Sequence, residues 1–305
     1  MGDIAIVVAA YNAQDTLARA IESVRGLTDP DWQLVVVDDG SNDDTYAIAT
    51  RFAQHESRIS VVRQENAGTG MARNAGIRAT TTEWIAYLDA DDMLAPEWLT
   101  VMKRTMEQHS GYDIYCSNGW FVDADGGREP IFSSYEAREI TLDDILRSCC
   151  ILGGGALVNR QVLDGVGGFA NIYWSEDYNL WVRLLVQGAR AYATAEKLYL
   201  YHRAGDGRKS NNAYPRSDSV VQTLTHAIDT GTLTEAQEQI ARAGIASAQQ
   251  RPHMEAQKRH LRLAVTRIVG ERYADIVMRT LHRFAWVVRP LRRRAARGRV
   301  ERQRS

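Results

Sequence analysis

The chain opens on Ile4-Ala5-Ile6-Val7-Val8-Ala9-Ala10, an apolar run with no polar alternation. A strand covered on both faces reads this way, so the run predicts a strand within a buried, parallel sheet. Leu17, Ile21 and Val24 then fall at i, i+4 and i+7, the spacing of one helix face, and Gln33-Leu34-Val35-Val36-Val37 predicts a second buried strand. A helix from about Asp43 turns Ile48 and Phe52 inward. A short strand at 59–62, a helix at about Gly70 to Ala79 and a strand from Trp84 to Leu88 continue the series. Strand and helix alternate over about ninety residues, which predicts a doubly wound α/β sheet with right-handed crossovers.

Beyond Leu88 the pattern loosens. Pro96 suits the first turn of a helix carrying Leu99, Met102 and Met106, and Tyr112-Asp113-Ile114-Tyr115-Cys116 predicts a further strand. Residues 123–139 read as a hairpin or loop. The clusters Gly153-Gly154-Gly155 and Gly165-Val166-Gly167-Gly168 flank a short segment at 156–164, and point to backbone that turns sharply or passes close to a ligand. Leu180, Trp181, Leu184 and Leu185 mark a helix, and Leu198-Tyr199-Leu200-Tyr201 a strand. After a polar stretch at 205–217, Thr232-Leu233-Thr234-Glu235 resembles a capping box, and the chain to about Val288 is helix-forming. The expected organisation is an α/β domain over 1–217, a helical appendage over 218–288 and a basic tail over 289–305.

Composition adds three constraints. At 305 residues and 45% hydrophobic, the chain can fill a core without staples. Its three cysteines, two of them adjacent, fit neither a disulfide framework nor a CxxC metal site, so a reducing cytoplasm is expected. Neither a signal-peptide pattern nor a run of about twenty apolar residues is present in the sequence, so no bilayer span is expected. The net charge of -1 conceals an asymmetry: residues 286–305 hold eight arginines against Glu301. With Phe284, Trp286, Val287, Val288 and Leu291 beside them, these arginines resemble a basic amphipathic segment suited to an anionic membrane surface, and peripheral contact with the inner leaflet is expected. No specific nucleic-acid module accompanies them.

The chemistry gathers at the carboxyl ends of the predicted strands, where doubly wound sheets bind ligands. Tyr11-Asn12, Asp38-Asp39-Gly40-Ser41 and Asp89-Ala90-Asp91-Asp92 all lie there. Acids packed as tightly as Asp89 to Asp92 repel one another, and a divalent cation lets them share a strand end. Taken alone, such a cluster is a solvated turn with a cap for the helix after it, a role that suits Asp92. Likewise, taken alone, Asp38-Asp39-Gly40-Ser41 closes a strand and caps the next helix, a role that suits Asp38.

Five segments in order carry a resemblance: Val8-Ala9-Ala10-Tyr11-Asn12; Val36-Val37-Asp38-Asp39-Gly40-Ser41; Asn66-Ala67-Gly68 with Ala72-Arg73-Asn74-Ala75-Gly76; Tyr87-Leu88-Asp89-Ala90-Asp91-Asp92; and Trp174-Ser175-Glu176-Asp177. The first two-thirds of the chain resembles a family 2 glycosyltransferase of GT-A fold, that is, a Rossmann-like, mostly parallel central sheet flanked by helices. The helical C-terminal part has no counterpart in the resemblance. What it implies is an inverting transfer from a nucleotide-diphosphate sugar, a UDP-sugar by preference, to an acceptor hydroxyl, with Mn²⁺ or Mg²⁺ as cofactor. A glycan or lipid-linked acceptor in cell-envelope or surface polysaccharide or glycolipid synthesis goes with it.

The resemblance also assigns residues. Asp91 would ligate the metal, with Asp89 helping through the ribose or a metal-bound water. Asp39 would accept a hydrogen bond from the base and Tyr11 would lie against it; Ala9 and Ala90 complete the donor-binding positions. Arg73 would meet the nucleotide or its phosphates; otherwise it is an exposed helix charge. Asp177 would be the general base and Glu176 its acceptor-side neighbour, both also suited to a helix start, where acids favour the dipole. From the residues themselves, Trp174 offers a sugar-stacking face, and His202-Arg203 after the aromatic strand are phosphate-side candidates. A dinucleotide-dependent oxidoreductase is disfavoured because no GxGxxG follows the first strand. A silent nucleotide-sugar binder or scaffold is the alternative to an enzyme, and such a binder needs no base at Asp177.

Overall fold

The computed structural model describes residues 4–172, 174–203 and 214–250. The sequence-based expectations for 251–288, for the basic tail and for most of the polar stretch at 205–217 fall outside them.

The first half follows the predicted alternation closely. Strands β1 (Ile4–Ala10), β2 (Trp32–Asp38), β3 (Ile59–Arg63) and β4 (Trp84–Asp89) lie in the order β3-β2-β1-β4, all parallel. In β1 every residue but Ala9 is buried, because apolar clusters cover both faces of the sheet. Helices α1 (Leu17–Arg25), α2 (Thr45–His55) and α3 (Thr69–Arg78) are the crossovers. α3 lies unusually close to the sheet. A Cβ on Gly76 would stand 2.3 Å from Val7 Cγ1, so only glycine permits this approach, and the approach brings Arg73 to the end of β4.

β5 (Met93–Leu94) and α4 (Trp98–Gln108) follow, then the long β6 (Ile114–Val122), which turns through 123–127 into β7 (Arg128–Pro130) as the predicted hairpin. After β8 (Arg138–Ile140) and α5 (Leu142–Arg147), the short segment between the glycine clusters resolves into β9 (Leu157–Asn159) and α6 (Arg160–Gly165). β9 runs antiparallel between β4 and β6, and so joins the parallel first half to β6 and β10 (Ala191–His202). β10 pairs parallel with β6 and antiparallel with β5 and β8. The sheet is therefore mixed beyond β4.

α7 (Glu176–Val186) begins where the acidic pair was expected to start a helix. α8 (Tyr214–Asp229) starts inside the stretch read as polar loop, with Pro215 in its first turn, where the missing N–H costs nothing. It packs on α7, and Leu224, Ala227 and Ala241 enter the same apolar cluster as Leu180 and Trp181. The compact unit extends to Gln249, so the described part of the expected appendage shares the core of the α/β domain instead of starting afresh at 218. The capping box also moves: Thr234 and Gln237 exchange the two bonds, while Thr232 Oγ1 meets Thr230. Among the described residues no helix is long and apolar enough to cross a membrane.

Candidate active site

Three loops meet at the carboxyl ends of β1, β2 and β4. The loop after β1 is zipped to the loop after β2: Asn12 N–H donates to Ser41 Oγ at 2.9 Å, Asn42 N–H to Asn12 Oδ1 at 2.9 Å and Ala13 N–H to Thr45 Oγ1 at 2.7 Å. Asn12 holds φ 48°, left-handed backbone that asparagine tolerates better than most residues. Tyr11 is left with half its surface in water, an exposed aromatic face at the strand end.

Asp38 does not cap α2, whose N-cap is Asp44. It is fully buried, takes the Ser41 N–H at 3.3 Å and pairs with Arg63 Nε at 3.0 Å, closing its own turn. Asp39 is also buried. Its carboxylate accepts Gln64 Nε2 at 2.7 Å and the backbone N–H groups of Ala67 and Gly68 at 2.9 Å each, so it fixes the loop that leads into α3.

Asp89 to Asp92 form a tight turn, with Asp92 N–H on the Asp89 carbonyl at 3.1 Å and Ala90 and Asp91 at its centre. It is not a solvated turn capping a helix: Asp92 has no exposed surface and the N-cap of α4 is Glu97. Three elements pin it. Arg19 of α1 donates to the Asp91 carbonyl at 2.8 Å, Arg73 of α3 to Asp89 Oδ1 at 2.6 Å, and β10 supplies the Tyr199 hydroxyl and the His202 N–H to Asp92.

Arg73 is not an exposed helix charge. It is 3% exposed, bracketed by the rings of Tyr87 and Phe169, and bridges Asp89 to Glu176 Oε1 at 3.1 Å. Burial alone would lower its proton affinity, but the charges of Asp89, Glu176 and Asp177 reverse this and raise it. Burial likewise pushes the Glu176 carboxyl above its ordinary range, against the pull of Arg73. The guanidinium fork is thus committed to two carboxylates, one from each side of the site.

Glu176 and Asp177 begin α7 after Ser175, which holds φ 55° at the N-cap. Asp177 Oδ1 accepts its neighbour's N–H, from Tyr178, at 2.8 Å. Beside it runs Gly153-Gly154-Gly155. A Cβ on Gly153 would fall 2.8 Å from Asp177 Oδ2, and one on Gly154 would fall 2.1 Å from Tyr199 Cε2. The strap therefore runs from the Tyr199 ring, whose hydroxyl bonds the acidic turn, to Asp177 at the head of α7, and a side chain at 154 would strike that ring. Trp174 stands half-buried just before this head.

His202, at the end of β10, joins the cluster through its backbone. Arg203 does not follow it: its guanidinium pairs with Glu129 and Asp123 and lies 4.0 Å over the Phe121 ring, so the hairpin holds the charge expected on the phosphate side. Tyr199 is the site residue that the sequence reading did not single out, and Asp92, read there as a helix cap, is its buried partner. Alternation in Leu198-Tyr199-Leu200-Tyr201 puts the two tyrosines on one face of the strand, but carries no sign of the acid that Tyr199 meets.

The donor set suits a hard cation that the protein binds only in part. Among the described residues no group of three or more His, Cys, Asp or Glu side chains is arranged to hold a metal. A half-buried Asp91 beside Asp89 instead offers one or two carboxylates, the usual protein share when phosphate oxygens supply the other ligands of Mg²⁺ or Mn²⁺.

The fold has solved counterparts. Residues 1–349 of S. aureus TarS, in a structure with UDP-GlcNAc, match with a TM-score of 0.68 at 20% identity, over 81% of this chain and 72% of that one. The mannosyltransferase PcManGT from Pyrobaculum calidifontis, in a structure with GDP-Man and Mn²⁺, matches with a TM-score of 0.63 at 17% identity, over 93% and 80%. The architecture is that of the GT-A glycosyltransferases. By sequence, the UDP-Glc:alpha-D-GlcNAc-diphosphoundecaprenol beta-1,3-glucosyltransferase WfaP of Escherichia coli is 28% identical over 226 residues, 72% of this chain and 86% of that protein. The model for glycosyl transferase family 2 matches residues 5–167, more than half of the sequence, and the chain belongs to that family.

Proposed function

We propose that this glycosyltransferase inverts the anomeric carbon as it moves a sugar from a nucleoside diphosphate, UDP by preference, to an acceptor hydroxyl in cell-envelope polysaccharide or glycolipid synthesis. One observation carries the reading: Arg73 joins Asp89, at the strand end where a donor diphosphate belongs, to Glu176, beside the carboxylate of Asp177. Donor and acceptor chemistry are thereby held within one ion-pair bridge. The preference for UDP, and for a lipid-linked acceptor, rests on the donor and acceptor in the name of the WfaP relative.

Tyr11 offers its exposed ring for the base to stack on, with Ala9 beside it at the end of β1. A carboxylate has about four acceptor positions, and three on Asp39 are filled, which leaves one for a ring N–H of uracil. Asp91, with Asp89 and Ala90 shaping its turn, would hold a divalent cation, which when bound neutralises charge on the departing diphosphate. Arg73 acts on the donor through Asp89. At the head of α7, Asp177 accepts the proton of the acceptor hydroxyl as its oxygen attacks in line. The new C–O bond forms as the bond to phosphate breaks, and that electron pair leaves with the nucleoside diphosphate. Trp174 and Glu176 border the acceptor side, and His202 the phosphate side. Anionic lipid at the inner face of the membrane is the surface we assign to the arginine-rich tail, on its charge alone, with the catalytic unit in the cytoplasm.

The test is nucleotide release from a panel of nucleotide sugars with Mn²⁺. Asp91→Ala should lose metal-dependent donor binding together with turnover. Asp177→Asn should keep donor binding and lose roughly 10²–10⁴-fold in turnover, the usual worth of a general base. Normal turnover by Asp177→Asn would refute the base, and binding without turnover in the wild-type protein would favour the silent binder.

A further inference from the structure

Asp92 is the one acid of the 89–92 turn with no exposed surface, and β10 meets both of its oxygens. The Tyr199 hydroxyl donates to Oδ2 at 2.5 Å and the His202 N–H to Oδ1 at 3.0 Å; the same hydroxyl lies 3.5 Å from Asp89 Oδ2. Because Asp92 N–H closes the turn on the Asp89 carbonyl, a shift of Asp92 carries Ala90 and Asp91 with it.

From these contacts we propose that Tyr199 is a positioning residue. By clamping Asp92 it fixes the turn on which Asp91 presents its carboxylate to a divalent cation and a nucleoside diphosphate. The inference rests on the donor site proposed above.

Two further observations support it. The pairing of β10 with β6 shifts register between Ala193 and Lys197 and again between Lys197 and Tyr199, and such irregularities re-aim the side chains that follow them. The Tyr199 ring is also wedged against Gly154 and Gly155, where any larger residue at 154 would strike it, so the hydroxyl has one place to point. A hydroxyl donating to a buried carboxylate is a charge-assisted bond, and it is directional in a way that packing alone is not.

The experiment is a calorimetric titration of the full chain with UDP, GDP, CDP and dTDP, in Mn²⁺ and in EDTA, for wild type and Tyr199→Phe. The nucleotide that wild type binds should bind Tyr199→Phe about tenfold more weakly in Mn²⁺, the scale of one charge-assisted hydrogen bond, and equally well in EDTA. Equal affinity in Mn²⁺, or the same loss in both buffers, would overturn the proposal, since a packing role does not distinguish them. Tyr199→Phe combined with Asp92→Leu should be no weaker than Asp92→Leu alone, because leucine offers the Tyr199 hydroxyl no acceptor and that bond is already lost; additive losses would count against it. If the phenylalanine variant does not fold, Asp92→Leu removes the acceptor from the other end, with the same two outcomes. A wild-type chain that binds none of the four nucleotides would sink the donor-site reading and this inference together. Wild-type binding left untouched in the variant would sink the inference alone.

Discussion

Arg73 carries its charge at 3% exposure, a position that water cannot support and that two acids must. Its partners differ: the Glu176 side chain is 15% exposed and that of Asp89 37%, so one pair is dry and the other partly wet. Removing one partner of a buried pair leaves an uncompensated charge, at a cost of about 3–5 kcal/mol. Arg73→Met should fall at the low end, about 3 kcal/mol, because solvent already screens Asp89. Arg73→Lys should recover less than half of that loss, since an ammonium is a point charge and cannot fork to both acids. Urea unfolding, with the midpoint read at constant slope, measures both, and an Arg73→Met variant as stable as wild type would refute the bridge. The fork gives one terminal nitrogen to each acid, Nη2 to Asp89 and Nη1 to Glu176, while the buried Nε has no partner among the described residues.

At the scale of elements, helix starts decide what the acids do. α5 begins with a reciprocal box: Asp144 N–H donates to Thr141 Oγ1 at 3.3 Å, and Asp144 Oδ2 accepts Thr141 N–H at 2.9 Å and Arg138 Nη1 at 2.7 Å. The Arg138 bond leads in holding the Asp144 carboxyl down at about 2. A depressed acid stabilises the fold above its unfolded pKa, and that contribution is lost as pH falls through the folded one. The stability gap between wild type and Asp144→Asn should therefore be flat above about pH 5 and close between about pH 4 and 2. Denaturation series across that range check it, and a gap that widened in acid would refute it. Elements covered on both faces were legible in the sequence because their patterns are uninterrupted: β1, β2, β4 and the start of α7. β9 was not, since three residues between glycine clusters carry no period and its pairing is set by β4 and β6. Asp92 misled for a related reason: an acid before Pro96 fits a cap, and only the position of β10, far along the chain, turns it into the buried anchor of the turn. Two overlapping T-x-x-E/Q patterns competed at 232 and 234, and local sequence does not choose between them.

Over the whole molecule, the proposed base sits on a helix that the first 217 residues cover only in part. α7 buries Tyr178, Asn179, Leu180, Trp181, Val182, Leu184 and Leu185, nearly its full circumference, as a helix packed on several sides must. α8 closes part of that circumference: Asn179 Nδ2 donates to Thr223 Oγ1 at 3.1 Å, and Leu224 and Ala227 enter the core. The helical stretch at 235–250 reaches back to α5, through Gln237 Nε2 on Asp143 Oδ1 at 3.1 Å. The family match ends at residue 167, before α7 and α8 begin, so the helices that back α7 lie outside the matched span, while Arg73 and Gly153 inside it meet the helix head. A chain ended after Gln250 should keep a cooperative thermal transition and bind nucleotide, whereas one ended after Ser217 should lose the transition. Leu224→Ala asks the finer question. It should cost about 2–5 kcal/mol as a core truncation. It should also lower turnover more than metal-dependent nucleotide affinity, because α8 supports α7, whereas the donor carboxylates stand at the end of β4 and in the turn after it, pinned from α1, α3 and β10. Equal losses in the two would show that the donor and acceptor sides of the site answer to the core as one body.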